Sequence, residues 1–217
     1  MDELMSTEQG QKELNKIAKS SGNDDMRDDA KSFAGCTATV VLMTPTEIYC
    51  ANAGDSRTVL SKNKQAIDMS KDHKPDDPEE RKRIYNANGF VEDGRVNGML
   101  ALSRALGDFE YKNNSLFKVK DQVVTAHPDV KMLPITNDTE FILLACDGIW
   151  DVMTSQEAIT FCHQTIYNSN FGRQKRSMGE LTQGVEKLMD DCCATDLSTS
   201  QGLGCDNMTA IIVELIH

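Results

Sequence analysis

Three aspartates stand at predicted strand ends or tight turns, where a side chain can leave the core. Asp55 follows a glycine, Asp147 precedes a glycine, and Asp206 precedes an asparagine. Asp151 comes four residues after Asp147 and would point to the same place if a helical turn intervenes. Carboxylate oxygens are the donors that Mg²⁺ and Mn²⁺ prefer, so the pattern suggests a divalent-metal site. Each aspartate alone also fits an ordinary turn or cap residue, because Asp is favoured in turns.

Two arginines that each follow a serine, Arg57 and Arg104, suggest a second kind of chemistry. Arginine can bind phosphate through two parallel hydrogen bonds. In a chain of net charge −11, however, we expect each arginine to pair with a nearby carboxylate and tie two segments together. Neither glycine-rich phosphate fingerprint, GxxxxGKS or GxGxxG, occurs in the sequence. Nucleotide binding therefore has no support.

The histidines and cysteines are not spaced as metal ligands. We expect loop or surface positions for the four histidines, which are His73, His127, His163 and His217. The seven cysteines include no Cys-x-x-Cys pair, so we expect neither a zinc site nor a disulfide framework. Trp150, the only tryptophan, is expected to anchor the core behind Asp147.

Length and charge restrict the class of protein. The 217 residues are enough for one large domain with a buried core. With 23 basic and 34 acidic residues, the chain is a poor partner for nucleic acid or an anionic membrane, and a cation or a basic protein segment fits better. No run approaches the roughly 20 apolar residues that span a bilayer. The first residues lack the features of a secretory signal, so we expect an intracellular protein, cytoplasmic or nuclear.

The elements that must position these residues follow from apolar periodicity and turn signals. The predicted strands are 39–43, 47–53, 57–60, 141–146 and 208–216. The predicted helices are 78–88, one that begins with a capping box at Thr154 and Glu157, and 178–193. Clustered strands with helices between them favour the α+β class with antiparallel sheets.

Two further segments lack strong periodicity. Residues 1–34 are predicted to be the end of a helix followed by an acidic loop, whose patch comprises Gly22, Asn23, Asp24, Asp25, Asp28 and Asp29. Residues 90–120 carry several glycines among polar residues. We expect them to form a mobile, loop-rich segment rather than a second core.

Seven short segments carry a more specific signal. They are GCTA at 35–38, ANAGDSR at 51–57, DHKP at 72–75, RVNG at 95–98, LSRALGD at 102–108, ACDGIWDV at 145–152 and GCDNMT at 204–209. In this order they resemble the metal-dependent serine/threonine protein phosphatases of type 2C. The resemblance covers essentially the whole chain.

The resemblance implies a fold, a reaction and a set of site residues. The fold is a four-layer αββα sandwich of two antiparallel sheets flanked by helices, with residues 90–120 similar to its mobile flap. Asp147 and Asp206 correspond to ligands of two Mn²⁺ or Mg²⁺ ions, and Asp147, Asp151 and Asp55 to ligands of a weaker third ion. The reaction is the attack of a metal-activated water on phosphoserine or phosphothreonine in protein substrates.

Several parts of the family pattern are absent from the 217 residues: the phosphate-binding Arg, a Glu-Asp pair, and the Asp-Gly-His-Gly-Gly segment with its proposed general acid. Residues 1–217 therefore resemble the C-terminal two-thirds of the catalytic domain, and the catalytic residues beyond the metal ligands stay unassigned. We expect this polypeptide alone to be inactive or poorly folded, because it would lack ligands and expose sheet edges.

Two alternatives remain open at this stage. One is a phosphatase-like module without catalysis that binds phosphoproteins or scaffolds an assembly. The other is an incomplete gene model whose true start lies upstream. A monomer is expected, although exposed sheet edges would make oligomerisation plausible.

Overall fold

The computed structural model describes residues 1–20, 34–167 and 175–216. The strands are β1 (Gly35–Cys36), β2 (Ala38–Met43), β3 (Glu47–Ala53), β4 (Arg57–Lys62), β5 (Gln65–Asp68), β6 (Val91–Glu92), β7 (Arg95–Val96), β8 (Leu106–Gly107), β9 (Asp129–Pro134), β10 (Thr139–Ala145) and β11 (Ala210–Glu214). The helices are α1 (Asp2–Ser6), α2 (Glu8–Ser20), α3 (Pro78–Asn86), α4 (Asp147–Trp150), α5 (Ser155–Thr165) and α6 (Met178–Cys192), with short 3₁₀ turns at Phe109–Tyr111 and Val119–Asp121.

The chain divides into two compact units. Unit 1 comprises Met1–Ala38 and His73–Pro128, and unit 2 comprises Thr39–Asp72 and Asp129–His217. Both units draw on more than one stretch of the chain, so each depends on contacts between residues that are distant in sequence.

Unit 2 contains two antiparallel sheets. The first has the strand order β11-β10-β4-β5, and the second has the order β2-β3-β9. β10 lies between two partners, and its register pairs Ile142 with Leu60 of β4 on one side and with Val213 of β11 on the other. The five predicted strands are all present.

Two apolar clusters pack on opposite faces of β10. Phe141 and Leu143 join a cluster that includes Leu188 of α6. The intervening Ile142 joins a second cluster with Ile48 of β3. Successive side chains of a strand point to opposite faces, so β10 is buried on both. This confirms the prediction made from its unbroken apolar run.

The two long helices of unit 2 begin at capping boxes. The Thr154 side chain accepts from the backbone of Glu157, whose carboxylate accepts from the Thr154 amide. Ser177 and Glu180 make the same pair of bonds at the start of α6. Each box satisfies amides that the first helical turn leaves without partners. The predicted capping box of α5 and the predicted span of α6 are both confirmed.

Two strands of unit 2 were not predicted. β5 returns from β4 through a two-residue turn in which Asn63 (φ 49°) and Lys64 (φ 62°) both have left-handed backbone. That conformation suits a tight hairpin, but the pair lacks the glycine that usually signals one. β9 alternates charged and apolar residues too weakly to stand out, and it pairs with β3 along its whole length.

Unit 2 therefore stacks its helices on the first sheet and the first sheet on the second, as the two clusters require. This confirms the α+β class with antiparallel sheets. The outer face of the second sheet exposes four large apolar side chains, which are Val40, Leu42, Val130 and Met132.

Unit 1 has a small core of its own. Ile84 of α3 packs with Val91, Val96 and Val124 in one buried cluster. The expectation that residues 90–120 lack a second core is therefore wrong. The apolar residues here are spread over two-residue strands and turns, so no periodic run marks them in the sequence.

A buried ion-pair network accompanies this small core. The Glu80 carboxylate accepts from Arg104 Nη2 at 2.6 Å, from Arg83 Nη1 at 2.5 Å and from Ser103 Oγ at 2.6 Å. Glu80 and Arg104 are 3% and 7% exposed. The predicted pairing of Arg104 with a carboxylate is confirmed. Burial disfavours the charged carboxyl, but the bonds from Arg104 and Ser103 and the charge of Arg83 prevail and lower the pKa of Glu80 to about 2.

The N-terminal helices of unit 1 confirm the helical start. Asp2 accepts from the Gly107 amide at 3.0 Å and from Lys112 Nζ at 2.7 Å, which holds α1 to β8. The predicted acidic loop at 22–29 lies outside the described residues. Within residues 1–20, 34–167 and 175–216, no helix combines the length and apolar character needed to cross a bilayer.

Candidate functional site

The register of the first sheet in unit 2 brings three turns that carry aspartates to the same end of the sheet. Ala145 at the end of β10 lies opposite Arg57 at the start of β4 and opposite Ala210 at the start of β11. The turn with Asp55 precedes Arg57, the turn with Asp147 follows Ala145, and the turn with Asp206 precedes Ala210. The three turns therefore lie at the same end of the sheet, next to the ends of neighbouring strands.

The turns that carry the second and third aspartates are in direct contact. The Cys146 amide donates to the Thr209 carbonyl at 3.1 Å, and the Thr209 amide lies 3.2 Å from the Cys146 sulfur. A β-carbon at Gly148 would lie 2.5 Å from the Asn207 carbonyl oxygen. Only glycine permits this close approach, so Gly148 has a packing reason to follow Asp147.

Each of the two carboxylates is oriented by a local bond. Asp147 Oδ1 accepts from the Gly148 amide at 3.1 Å, and Asp206 Oδ1 accepts from the Asn207 amide at 2.7 Å. Asp147 is half-buried and Asp206 is exposed. Both side chains are thus held near the contact between their turns and stay accessible to a ligand.

The other two predicted ligands differ in environment. Asp55 is 4% exposed and lies in a turn where Gly54 has φ 115°, a conformation that favours glycine. Asn52 Nδ2 donates to the Gly54 carbonyl at 3.0 Å and closes this turn. Asp151 is exposed and directly follows α4.

The donor set suits a hard cation in type but is small in number. Among the described residues, no group of three or more His, Cys, Asp or Glu side chains is arranged to hold a metal ion. The grouping of Asp147, Asp151 and Asp55 for a third ion therefore stays a prediction. Mg²⁺ is commonly bound by one or two carboxylates and completes its shell with water, so the pair Asp147 and Asp206 still fits such an ion.

Arg57 connects several segments at this end of the sheet, and its predicted pairing with a carboxylate is confirmed. Its Nε and Nη2 atoms donate to the two oxygens of Asp72, each at 2.8 Å, and Nη1 donates to Ser155 Oγ at 3.0 Å. The guanidinium carbon lies 5.1 Å from the ring centre of Trp150. Hydrogen bonding to Asp72 raises the pKa of Arg57 against the opposing effect of burial, and the nearby charge of Asp151 adds to the rise.

Trp150 also holds the turn that begins with Asp147. Its indole nitrogen donates to the Ala145 carbonyl at 2.7 Å, and the side chain is 6% exposed. The expected role of core anchor behind Asp147 is confirmed. Ser155 in turn donates to Asp68 at 2.6 Å, a link that the sequence did not suggest because Asp68 ends an unpredicted strand. These residues line an open groove of about 550 Å³ beside Asp151.

The expectation for the histidines is wrong for one of the three that are described, because His163 lies in α5 and is 4% exposed. His73 and His127 lie in loops as expected, although His73 is only 2% exposed, and His217 lies outside the described residues. His163 Nε2 is 3.1 Å from Glu140 Oε2 and 3.0 Å from Ser61 Oγ. All three residues are buried, which excludes substrate contact and makes this a polar link between α5 and the first sheet. Burial lowers the pKa of His163, with Glu140 opposing.

Comparisons of the sequence with known proteins point to one family. The family model "Protein phosphatase 2C" matches residues 2–200. The chain is 48% identical to "Protein phosphatase 2C 1" of Paramecium tetraurelia over 99% of this chain and 67% of that protein. It is 54% identical to "Protein phosphatase 2C homolog 3" of Schizosaccharomyces pombe over 85% of this chain and 42% of that protein.

Solved structures give the same fold. A phosphatase from a pathogenic strain of Toxoplasma gondii superposes with a TM-score of 0.64 at 30% identity, covering 79% of this chain and 50% of the other. A serine-threonine phosphatase 2C from Toxoplasma gondii gives a TM-score of 0.64 at 22% identity, covering 94% and 63%. The chain thus spans about half to two-thirds of the length of these proteins. The family match, the relatives and the motif order together establish that the chain belongs to the protein phosphatase 2C family.

Proposed function

We propose that this chain belongs to a metal-dependent phosphatase that hydrolyses phosphoserine and phosphothreonine in proteins. The observation that carries the proposal is the contact between the Asp147 and Asp206 turns at one end of the first sheet. Family membership supports the phosphatase class, and the carboxylate pair supports the metal dependence.

In this proposal Asp147 and Asp206 bind Mn²⁺ or Mg²⁺, two ions in the complete site. Asp55 and Asp151, on the neighbouring turn and after α4, are proposed as further ligands with Asp147 for a weaker third ion. When bound, the ions supply Lewis-acid chemistry and activate a water molecule for attack on the phosphorus. The aspartates alone would repel a phosphate group. A bound cation would make this end of the sheet attract it.

The protein's own residues hold the Asp147 and Asp206 turns in place. Gly148 lets the two turns touch, and the Asp147 and Asp206 carboxylates are oriented by the amides that follow them. Arg57 is bound to Asp72 and stacked on Trp150, so it acts as a positioning residue between β4 and α4. Since three of its five N–H donors are already bonded within unit 2, we do not assign it to the phosphate.

Two carboxylates leave most of a metal's coordination positions to water or to other groups. We therefore propose that residues 1–217 form the C-terminal two-thirds of one catalytic domain, with residues 90–120 as its flap. The phosphate-binding Arg and the general acid would come from outside this sequence. On this basis we expect weak metal binding and little turnover from the polypeptide alone.

A second candidate is a phosphatase-like module that binds phosphoproteins or scaffolds an assembly without catalysis. Its support is the net charge of −11, which favours binding to a basic segment of another protein. This candidate predicts partner binding that does not depend on a divalent cation.

The partners follow from the same reasoning. The net charge of −11 favours protein substrates or basic segments over nucleic acid and membrane surfaces. We propose an intracellular protein, cytoplasmic or nuclear, that is monomeric unless its exposed sheet edges pair.

Hydrolysis of a phosphothreonine peptide with added Mn²⁺ tests the proposal. It is measured in a protein that joins residues 1–217 to the N-terminal part of the family's catalytic domain, because little turnover is expected from the polypeptide alone. Asp147→Ala and Asp206→Ala should each lower the Mn²⁺-dependent rate at least a hundredfold. Asp190→Ala, an exposed carboxylate on α6, should leave the rate within twofold. Equal rates in all four proteins would contradict the proposal. A wild-type protein that binds the peptide without Mn²⁺ and does not hydrolyse it would favour the second candidate.

A further inference from the structure

Two exposed thiols stand at the two ends of one loop in unit 2. Cys193 follows the last residue of α6, and Cys205 follows the loop 194–204. Both are exposed, whereas Cys192 is buried. Their separation in sequence matches no metal-binding or redox motif, so sequence spacing alone does not single them out.

The backbone holds the two ends of this loop together. The Ala194 amide donates to the Gly204 carbonyl at 2.9 Å. A β-carbon at Gly204 would lie 2.6 Å from the Ala194 nitrogen and closer still to the Cys192 carbonyl oxygen. Gly204 thus fits directly against the end of α6. Cys193 and Cys205 are the residues one step outside this contact.

This arrangement places the two cysteines on adjoining backbone segments, and the Cys205 thiol, which lies 3.2 Å from Ser200 Oγ, must turn away from that hydroxyl to reach Cys193. A disulfide needs two α-carbons roughly 4.4–6.8 Å apart, a separation typical of residues that flank a backbone hydrogen bond between two segments. Cys193 has extended backbone (φ −66°, ψ 133°) beyond the helix, so its side chain is not committed to a helical face. We propose that Cys193 and Cys205 form a reversible disulfide that closes the loop 194–204 when the protein meets a peroxide.

The chemistry uses one molecule of hydrogen peroxide. One thiol attacks a peroxide oxygen, becomes a sulfenic acid and releases water. The second thiol then attacks the sulfenic sulfur, the S–S bond forms, and the hydroxyl group leaves as a second water with the proton of that thiol. Two thiols lose two protons and two electrons, and the peroxide is reduced to two waters. A small dithiol reverses the reaction by exchange.

The closed loop would bear on the proposed active site, since Cys205 directly precedes Asp206. This consequence rests on the proposed function. The disulfide itself does not, because it can be detected without any activity.

Peptide mapping of the full chain tests the inference. The protein is treated with hydrogen peroxide, its remaining thiols are alkylated, and it is cut on the amino side of aspartates, so that Asp196 separates Cys193 from Cys205. We expect the loss of two of the seven free thiols and a linked pair of peptides, 191–195 with 196–205, which dithiothreitol separates.

Three variants make the assignment specific. Cys193→Ser and Cys205→Ser should each abolish the linked pair, and Cys36→Ser, which removes an exposed thiol of unit 1, should leave it. Alkylation of both thiols in the oxidised protein would overturn the proposal. A linked pair that persists in Cys193→Ser would also overturn it, because Cys192 would then be the partner.

Discussion

Unit 2 and unit 1 are stabilised in different ways. In unit 2, strands of four to seven residues carry apolar side chains into two clusters, and its long helices begin at capping boxes. In unit 1, strands of two residues surround a small core, and a buried network around Glu80 joins α3 to the segment at 103–104. Unit 2 thus depends on apolar burial along regular elements, and unit 1 depends more on charged groups that must keep their partners.

The same difference separates what the sequence could predict from what it could not. Periodic apolar runs and capping boxes are local signals, and they located β10, α5 and α6. Two of the three partners of Glu80, Ser103 and Arg104, lie more than twenty residues away, so spacing alone cannot pair them. If the comparison is right, perturbations of the network should act on unit 1, and perturbations of close packing should act on unit 2.

The largest expected effect is that of Glu80→Ala. Without Glu80 the buried guanidinium of Arg104 loses its charged partner, and breaking a buried pair in this way costs about 3–5 kcal/mol. We expect faster amide hydrogen exchange in α3 and little change in β10. Glu79→Ala removes the same charge from an exposed position of the same helix and should change neither. Equal acceleration in both units would break the distinction between them.

Acid should weaken the same network without a mutation. The pKa of Glu80 is about 2 in the fold against an ordinary value of 4.5, so the unfolded chain binds a proton first as the pH falls. The stability that Glu80 contributes is therefore complete above pH 4.5 and is lost between 4.5 and about 2. Exchange in α3 measured from pH 6 to 3 should accelerate below 4.5, after subtraction of the intrinsic pH dependence. No such acceleration would show that the network does not stabilise unit 1.

A test of close packing in unit 2 is Gly148→Ala. The added methyl group would meet the Asn207 carbonyl, so the two turns must separate at a cost of about 1–3 kcal/mol. Gly179→Ala on α6 adds the same atom where Ser177 Oγ, 4.0 Å away, is the nearest atom outside its chain neighbours and its helix backbone, and it should be neutral or slightly stabilising. Urea unfolding followed in β10 compares the two. Similar midpoints would mean that the turns do not need their close contact.

The smallest expected effect comes from His163 in unit 2. Its pKa is lowered by burial, so the unfolded chain takes up a proton before the folded chain does. The stability linked to neutral His163 is complete above its ordinary pKa of 6.5 and declines as the pH falls below it. The urea midpoint of unit 2 should decrease below pH 6.5, and His163→Gln should reduce that dependence. An unchanged dependence in the variant would exclude His163 as its source.

The candidate site was predictable in part for a physical reason. Asp147 follows a recognisable strand and Asp206 precedes one. Their place at strand ends could therefore be inferred before the register was known. The contact between their turns depends on Gly148 approaching Asn207, which only the fold reveals. The buried position of His163 was missed because its partners, Ser61 and Glu140, come from two different strands.

Calorimetric titration with Mn²⁺ tests the central claim most directly, because it needs no substrate and no complete active site. The account predicts heat of binding in the wild-type chain, at least a tenfold weaker affinity in Asp147→Ala and in Asp206→Ala, and an unchanged affinity in Asp190→Ala. The same affinity in all four proteins would show that the two carboxylates do not share a cation, and it would contradict the account.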